Sequence, residues 1–332
     1  VLVCAQSNTA VDWIAEKLVD RGVPVLRIGN PSRVNDKMLS FTYERRFEGH
    51  PAYTELWGIR KSIREMGNRM RKSSYSEREA AHSRINHLRE RATELEIQIN
   101  EDLFSGARVI ASTLVSSNHR ILTGRRFTTL FIDEAAQALE AACWIAIRKA
   151  DRVIFAGDHC QLPPTIKCIE AARNGLEQTL MEKVAANKQE TVSLLKVQYR
   201  MHQSIMQFSS EWFYQGELQA APEVTNRGIL DLDLPMSWID TSEMEFHEEF
   251  VGESFGRINK PEANLLLQEL EAYIRKIGEK RVLEERIDFG LISPYKAQVQ
   301  YLRGKLKGCL FFRPFRSQIT IHTVDGFQGQ ER

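Results

Sequence analysis

Short continuous apolar runs alternate with amphipathic stretches along this chain, the pattern of strands buried on both faces and separated by helices. Val1–Ala5 (VLVCA) is such a run, Val23–Ile28 is a second, and Ala107–Thr113, Phe127–Ile132 and Arg152–Ala156 follow. After the first run, Val11, Ile14, Ala15 and Leu18 recur at helical spacing, and Asn8 or Thr9 is expected to cap that helix. Its free N–H groups would suit a phosphate, although a plain β-α turn with a capping Asn accounts for the same residues. Ala135–Ile147 reads as an Ala-rich amphipathic helix and Gly175–Val184 as another. A boundary is expected near Ala186–Glu190, after which Val192–Val197 resumes strand character. Helices through Ile205, Phe208 and Trp212, over Pro261–Lys276, and through Val299 and Leu302 are interleaved with strands at Ile287–Ile292 and Gln318–Ile321. Such alternation predicts an α/β fold. The expected domains are 1–187 and 188–332.

The stretch from about 41 to 105 interrupts this rhythm. Ile59, Ile63, Met66 and Met70 are spaced like a heptad, as are Ile85, Leu88, Ala92, Leu95 and Ile99, and between them Ser76-Glu77-Arg78-Glu79 has the form of a capping box. Two antiparallel helices projecting from the first domain are expected. From Arg60 to Arg91, ten Lys or Arg face four Glu. The excess suits a phosphate backbone, and a solvated coiled-coil face suits it equally.

Composition narrows the field only a little. The 332 residues suffice for about two domains, and a formal net charge of +1 means that any nucleic-acid binding must come from local placement of charge. The five cysteines form no C-x-x-C pair, which excludes a zinc ribbon and points to reduced, intracellular thiols. No apolar run approaches the ~18 residues of a membrane span.

The candidate chemistry sits where strands end. Asp133-Glu134 closes the Phe127–Ile132 run, at the carboxyl edge where open α/β sheets bind ligands. An Asp-Glu pair there can hold Mg²⁺ through Asp133 and polarise a water through Glu134. Asp158 and Gln161 follow the next run, where an amide could sense a phosphate.

The order of motifs is more specific than any one of them. Asp133-Glu134-Ala135-Ala136-Gln137-Ala138, Gly157-Asp158-His159-Cys160-Gln161-Leu162-Pro163-Pro164, Gln198-Tyr199-Arg200-Met201-His202 and Val324-Asp325-Gly326-Phe327-Gln328-Gly329-Gln330-Glu331 closely resemble motifs II to V of superfamily 1 helicases. The resemblance is strongest to the 5′→3′ branch of the nonsense-mediated-decay helicase and senataxin type. Cys4–Asp12 looks like motif Ia of that branch, with Gln6 where Pro is usual, and Ile292–Gln298 resembles its second-domain strand-helix signature. The resemblance implies a P-loop NTPase of two RecA-like domains, ATP between them and the helical hairpin inserted in the first. It implies that Asp133 coordinates Mg²⁺, Glu134 activates the attacking water and Gln161 senses the γ-phosphate. Tyr199 would stack on adenine, Arg200 would serve as an arginine finger, and Gly329 and Glu331 would approach phosphates and ribose. Ser7, Asn8, Thr113, Pro294, Tyr295, His322 and Thr323 would line a single strand of DNA or RNA.

Two family parts are missing: a G-x-x-x-x-G-K-[ST] run and the Arg-containing motif VI. The chain is therefore expected to be cut at both ends and, alone, inactive or nearly so. The implied function is an ATP-dependent, intracellular helicase or translocase. The alternative is a non-catalytic nucleic-acid scaffold that recruits protein partners through the hairpin.

Overall fold

Four consecutive buried residues form the first strand, β1 (Leu2–Ala5). Side chains leave a strand on alternate faces, so Leu2 and Cys4 enter one core while Val3 and Ala5 enter another. β1 is central in a five-stranded, all-parallel sheet with β2 (Val25–Ile28), β3 (Val109–Thr113), β4 (Phe127–Asp133) and β5 (Ala150–Phe155), ordered β2-β3-β1-β4-β5. The structure, a computed structural model, describes residues 1–70, 75–231, 233–252 and 256–327, and divides into two units, Val1–Val192 and Ser193–Arg332.

Helix α1 (Asn8–Asp20) covers one face of the first unit's sheet through Val11 and Ala15. Leu122, Cys143, Ala146 and Leu180 close the other face against Leu130 and Ile132. Ser7, rather than Asn8 or Thr9, caps α1: its Oγ accepts from the Ala10 N–H at 3.1 Å. Asn8 is drawn away from capping because its amide oxygen is engaged by Arg27. Burial pushes the Cys4 thiol up to about 12, so this cysteine is an inert part of the core. The parallel sheet with helices makes the first unit α/β, in keeping with a RecA-like P-loop fold.

Between β2 and β3 run α2 (Tyr43–Glu48), α3 (Tyr53–Met70) and α4 (Tyr75–Ser105). Leu56 is buried with Ala92, Leu95 and Ile99, and Tyr53 and Ile59 pack beside them. Arg60 reaches Glu96 at 2.6 Å and Arg91 reaches Glu55 at 3.0 Å; both pairs are exposed and screened by solvent, so they add little to stability. Of the pattern from Ser76 to Glu79, only Glu79 is among the residues whose side chains are described, and it is exposed.

Three expected elements change form. The Ala135–Ile147 helix is instead a 3₁₀ turn, Ala135–Gln137, an extended Leu139, and then α5 (Glu140–Ile147). The break follows from Ala135, whose N–H bonds the Ala156 carbonyl at 2.9 Å and so belongs to the sheet edge. In place of a helix from Gly175 to Val184, the chain turns at Gly175 (φ 94°) and a helix spans Leu180–Asn187. Thr179 starts it, in a reciprocal capping box with Glu182. The Val192–Val197 strand shrinks to Val197–Gln198, because Leu194 and Leu195 are exposed and pair with no strand among the described residues.

In the second unit, strands Phe289–Ser293 and Ile319–Thr323 pair in parallel. Helices Lys260–Ile277 and Lys296–Gly308 bury Leu267, Ile274, Val299 and Leu302 with Phe312 and Phe315. Val197–Gln198 pairs with Gln219–Ala220 in parallel, and Glu249–Val251 with Gly256–Ile258 in antiparallel fashion.

Candidate active site

Strand register decides which polar residues meet. Ala5 lies beside both Thr113 and Asp133, so the turn after β1, the end of β3 and the end of β4 share one edge of the sheet. β5 ends beside them, with Phe155 opposite Ile132. Asp133 is half-buried, and burial raises its carboxyl above the ordinary range, partly offset by the Glu134 N–H. Glu134 adopts a left-handed conformation (φ 51°, ψ 40°), which is uncommon for a non-glycine and turns the chain sharply off the strand. Its carboxyl is also raised, first by burial and then by the charges of Asp133 and Asp158. Gln137 opposes this by donating to Glu134 Oε2 at 3.0 Å. That partner was in the motif but could not be distinguished from a helix-face glutamine in the sequence.

The loop after β5 is pressed onto this turn. A Cβ at Gly157 would stand 3.0 Å from the backbone nitrogens of Ala135 and Ala136 and 3.1 Å from Met181 Sδ, so only glycine fits without displacement. Asp158 then organises the next turn: Oδ1 accepts from the Cys160 N–H at 3.0 Å, and Oδ2 accepts from Gln161 Nε2 at 2.9 Å. Gln161 is exposed with its amide held in place. Among the described residues, neither Asp133 nor Glu134 is ion-paired with Lys or Arg. Grouped carboxylates without a cation are the donor set of a hard divalent ion, and they fit Mg²⁺.

On the same edge, Ser7 is exposed, Asn8 is half-buried, and Thr113 Oγ1 donates to Ser116 Oγ at 2.8 Å. In the second unit, Ser293 lies beside Thr323 and Ile292 beside His322, which brings Pro294 and Tyr295 next to His322 and Thr323 at a strand edge. Ser293 Oγ accepts from the Tyr295 N–H at 3.3 Å, and the Thr323 N–H donates to His322 Nδ1 at 3.0 Å.

Tyr199 is 67% exposed, and Arg200 follows it on a turn shaped by Gln198. Gln198 Oε1 accepts from the Arg200 and Met201 N–H groups at 2.8 and 2.9 Å, while its Nε2 donates to the Met201 carbonyl at 2.7 Å. Arg227 adds a bond to the Arg200 carbonyl. Gln198 was quoted in the sequence only as part of the motif; its place directly before Tyr-Arg at a strand end was the available signal. Gly329 and Glu331 lie outside the described residues. No helix among the described residues is long and apolar enough to cross a membrane.

One AAA domain family model matches residues 1–168 and a second matches 176–332. The chain is 29% identical to an "uncharacterized ATP-dependent helicase" of Methanocaldococcus jannaschii, covering all of the chain and 55% of that protein. It is 32% identical to DNA-binding protein SMUBP-2 of Rattus norvegicus, covering all of the chain and 34% of the relative. A Drosophila melanogaster "regulator of nonsense transcripts 1 homolog" is 33% identical, with 27% of its length covered. The chain thus spans about half or less of the length of these relatives.

Proposed function

Because the chain belongs to the superfamily 1 helicases built from AAA domains, we propose that it couples ATP hydrolysis to movement along single-stranded DNA or RNA. The observation that carries the reading is the shared sheet edge: Asp133, Glu134 and the Asp158–Gln161 turn adjoin Ser7, Asn8 and Thr113. A nucleotide-sensing group and a strand-contacting group on one rigid edge can be coupled by small movements of that edge.

In this reading Asp133 holds Mg²⁺, whose charge when bound offsets that of the phosphates. Glu134, raised in pKa and anchored by Gln137, takes the proton of the attacking water. Gln161, steadied by Asp158, responds to the terminal phosphate. Tyr199 offers a face to the base, and Arg200 supplies a planar guanidinium for charge developing on the transferred phosphoryl group. Gly329 and Glu331 would contact phosphate and ribose. Ser7, Asn8, Thr113, Pro294, Tyr295, His322 and Thr323 carry the strand, chiefly through its backbone, which gives sequence-tolerant binding. The work is intracellular, with α3 and α4 available to a protein partner. The scaffold alternative is less well supported, since relatives are named as helicases and a passive clamp has no use for clustered carboxylates.

The test is ATP hydrolysis by the intact parent protein with and without single-stranded DNA or RNA, beside Glu134→Gln. Stimulation by one polymer, abolished in the variant, is expected. Strand binding with no turnover under either condition would favour the scaffold.

A further inference from the structure

Arg27 is the largest fully buried side chain of the described residues, and it lies in the middle of β2. Its Nε donates to Asp12 Oδ1 at 2.8 Å, one terminal nitrogen donates to the Ile28 carbonyl at 2.6 Å, and the other to Asn8 Oδ1 at 2.9 Å. Asp12, 2% exposed, spends its second oxygen on the Asn35 N–H at 2.9 Å. Room for the guanidinium depends on Gly29, where a Cβ would come within 3.0 Å of it. The pair thus ties two parts of the chain, β2 and the segment at Asn35, to α1.

The consequence lies in the chemistry of the amide. A guanidinium has only donors, so the group that Asn8 turns toward Arg27 must be its oxygen. Its Nδ2 is therefore held on the opposite side, and among the described residues it donates to no protein acceptor. We infer that Arg27 is a positioning residue for strand binding: it fixes the Asn8 amide so that an N–H donor faces a backbone phosphate. This rests on the reading that Asn8 lies on the nucleic-acid track. An amide free to flip would present an oxygen to that phosphate for part of the time and weaken the grip.

The test measures the affinity of the protein for a fluorescent single-stranded oligonucleotide by anisotropy at one fixed salt concentration. Asn8→Ala should weaken binding about tenfold, the usual worth of a hydrogen bond to a charged group. The double variant Asp12→Leu with Arg27→Met replaces the ion pair by apolar groups, which folded proteins commonly tolerate. It should keep a cooperative melting transition yet weaken binding by about the same factor as Asn8→Ala. Asn8→Asp covers the case in which the double variant fails to fold. It keeps an acceptor for Arg27 but removes the outward donor, and should bind at least as weakly as Asn8→Ala. Wild-type binding by Asn8→Asp, or by a folded double variant while Asn8→Ala is impaired, overturns the inference and leaves Asn8 on the track. Wild-type binding by Asn8→Ala removes Asn8 from the track and the inference with it.

Discussion

Replacing Gly157 by alanine tests whether the loop after β5 and the turn after β4 act as one piece. The added Cβ would sit 3.0 Å from two backbone nitrogens, Ala135 and Ala136, and 3.1 Å from Met181 Sδ. The methionine can yield, but the two nitrogens belong to the 3₁₀ turn that follows left-handed Glu134, and Ala135 is bonded to the Ala156 carbonyl at 2.9 Å. Relief therefore requires a few tenths of an ångström of backbone movement where Glu134 is anchored. Overpacking of this kind costs about 1–3 kcal/mol. For a unit of this size that corresponds to a fall in Tm of roughly 2–10 °C, measurable by calorimetry. Catalytic geometry is more sensitive: if 1 Å of misplacement costs about a hundredfold, a few tenths cost about fourfold to tenfold in kcat. Strand-stimulated ATP hydrolysis measured beside Tm separates the two effects. A variant with wild-type Tm and kcat would refute the claim that the two turns are mechanically joined.

Glu134→Gln should lower kcat by at least about a hundredfold, as removal of a general base does, with ATP binding retained by equilibrium dialysis. The same variant carries a stability signature with a definite sign. The folded carboxyl titrates above its ordinary value, so folded protein holds the proton more tightly and loses stability as pH rises through that raised value. Without nucleotide or Mg²⁺, Glu134→Gln should melt with the wild type near about pH 4 and above it at about pH 7; a constant difference would contradict the burial and charge assigned to the site. Gln198→Ala removes three bonds around Tyr199–Met201 and should raise KM for ATP more than it lowers kcat, a split read from steady-state kinetics. Asp12→Ala strands the Arg27 charge in the core and should cost about 3–5 kcal/mol in chemical denaturation; a loss below about 1 kcal/mol would mean that water reaches the guanidinium.

The sheet was legible because β1, β2 and β3 are buried on both faces and therefore uninterrupted in sequence, while β4 and β5 keep apolar stretches although each is partly exposed. VLVCA needs no partner to be identified, and its register then carries Thr113 and Asp133 to one edge. Helix boundaries were less legible, because they depended on bonds made across the sheet. Ala135–Ile147 has a helical composition throughout, yet the Ala135 N–H is taken by Ala156, a residue twenty-one positions later, and the helix starts only at Glu140. Val192–Val197 has strand composition, and without a neighbouring ladder along its length only its last residue pairs. Of the site, the carboxylates and Gln161 could be read from position at strand ends; Gln137, which holds Glu134, and Gln198, which shapes the Tyr199–Met201 turn, act through contacts that no spacing rule contains.

Arg27 and Asp12 show how a buried charge depends on distant partners. Nothing local to Val25–Ile28 or to α1 explains why these two charged side chains are buried. A charge is expelled from a core only while it lacks a partner, and the partner here arrives from fifteen residues away once α1 packs onto β2 and β3. Both groups are then satisfied, the guanidinium by Asp12, Asn8 and a carbonyl, and the carboxylate by Arg27 and the Asn35 N–H. Replacing such a pair by packed apolar groups commonly costs nothing, so stability alone gives little reason to bury it. What an apolar pair cannot do is orient an amide. The network ends on Asn8, whose outward N–H is on the sheet edge that carries Asp133, and that directional output is the property that the double variant removes while the core stays filled.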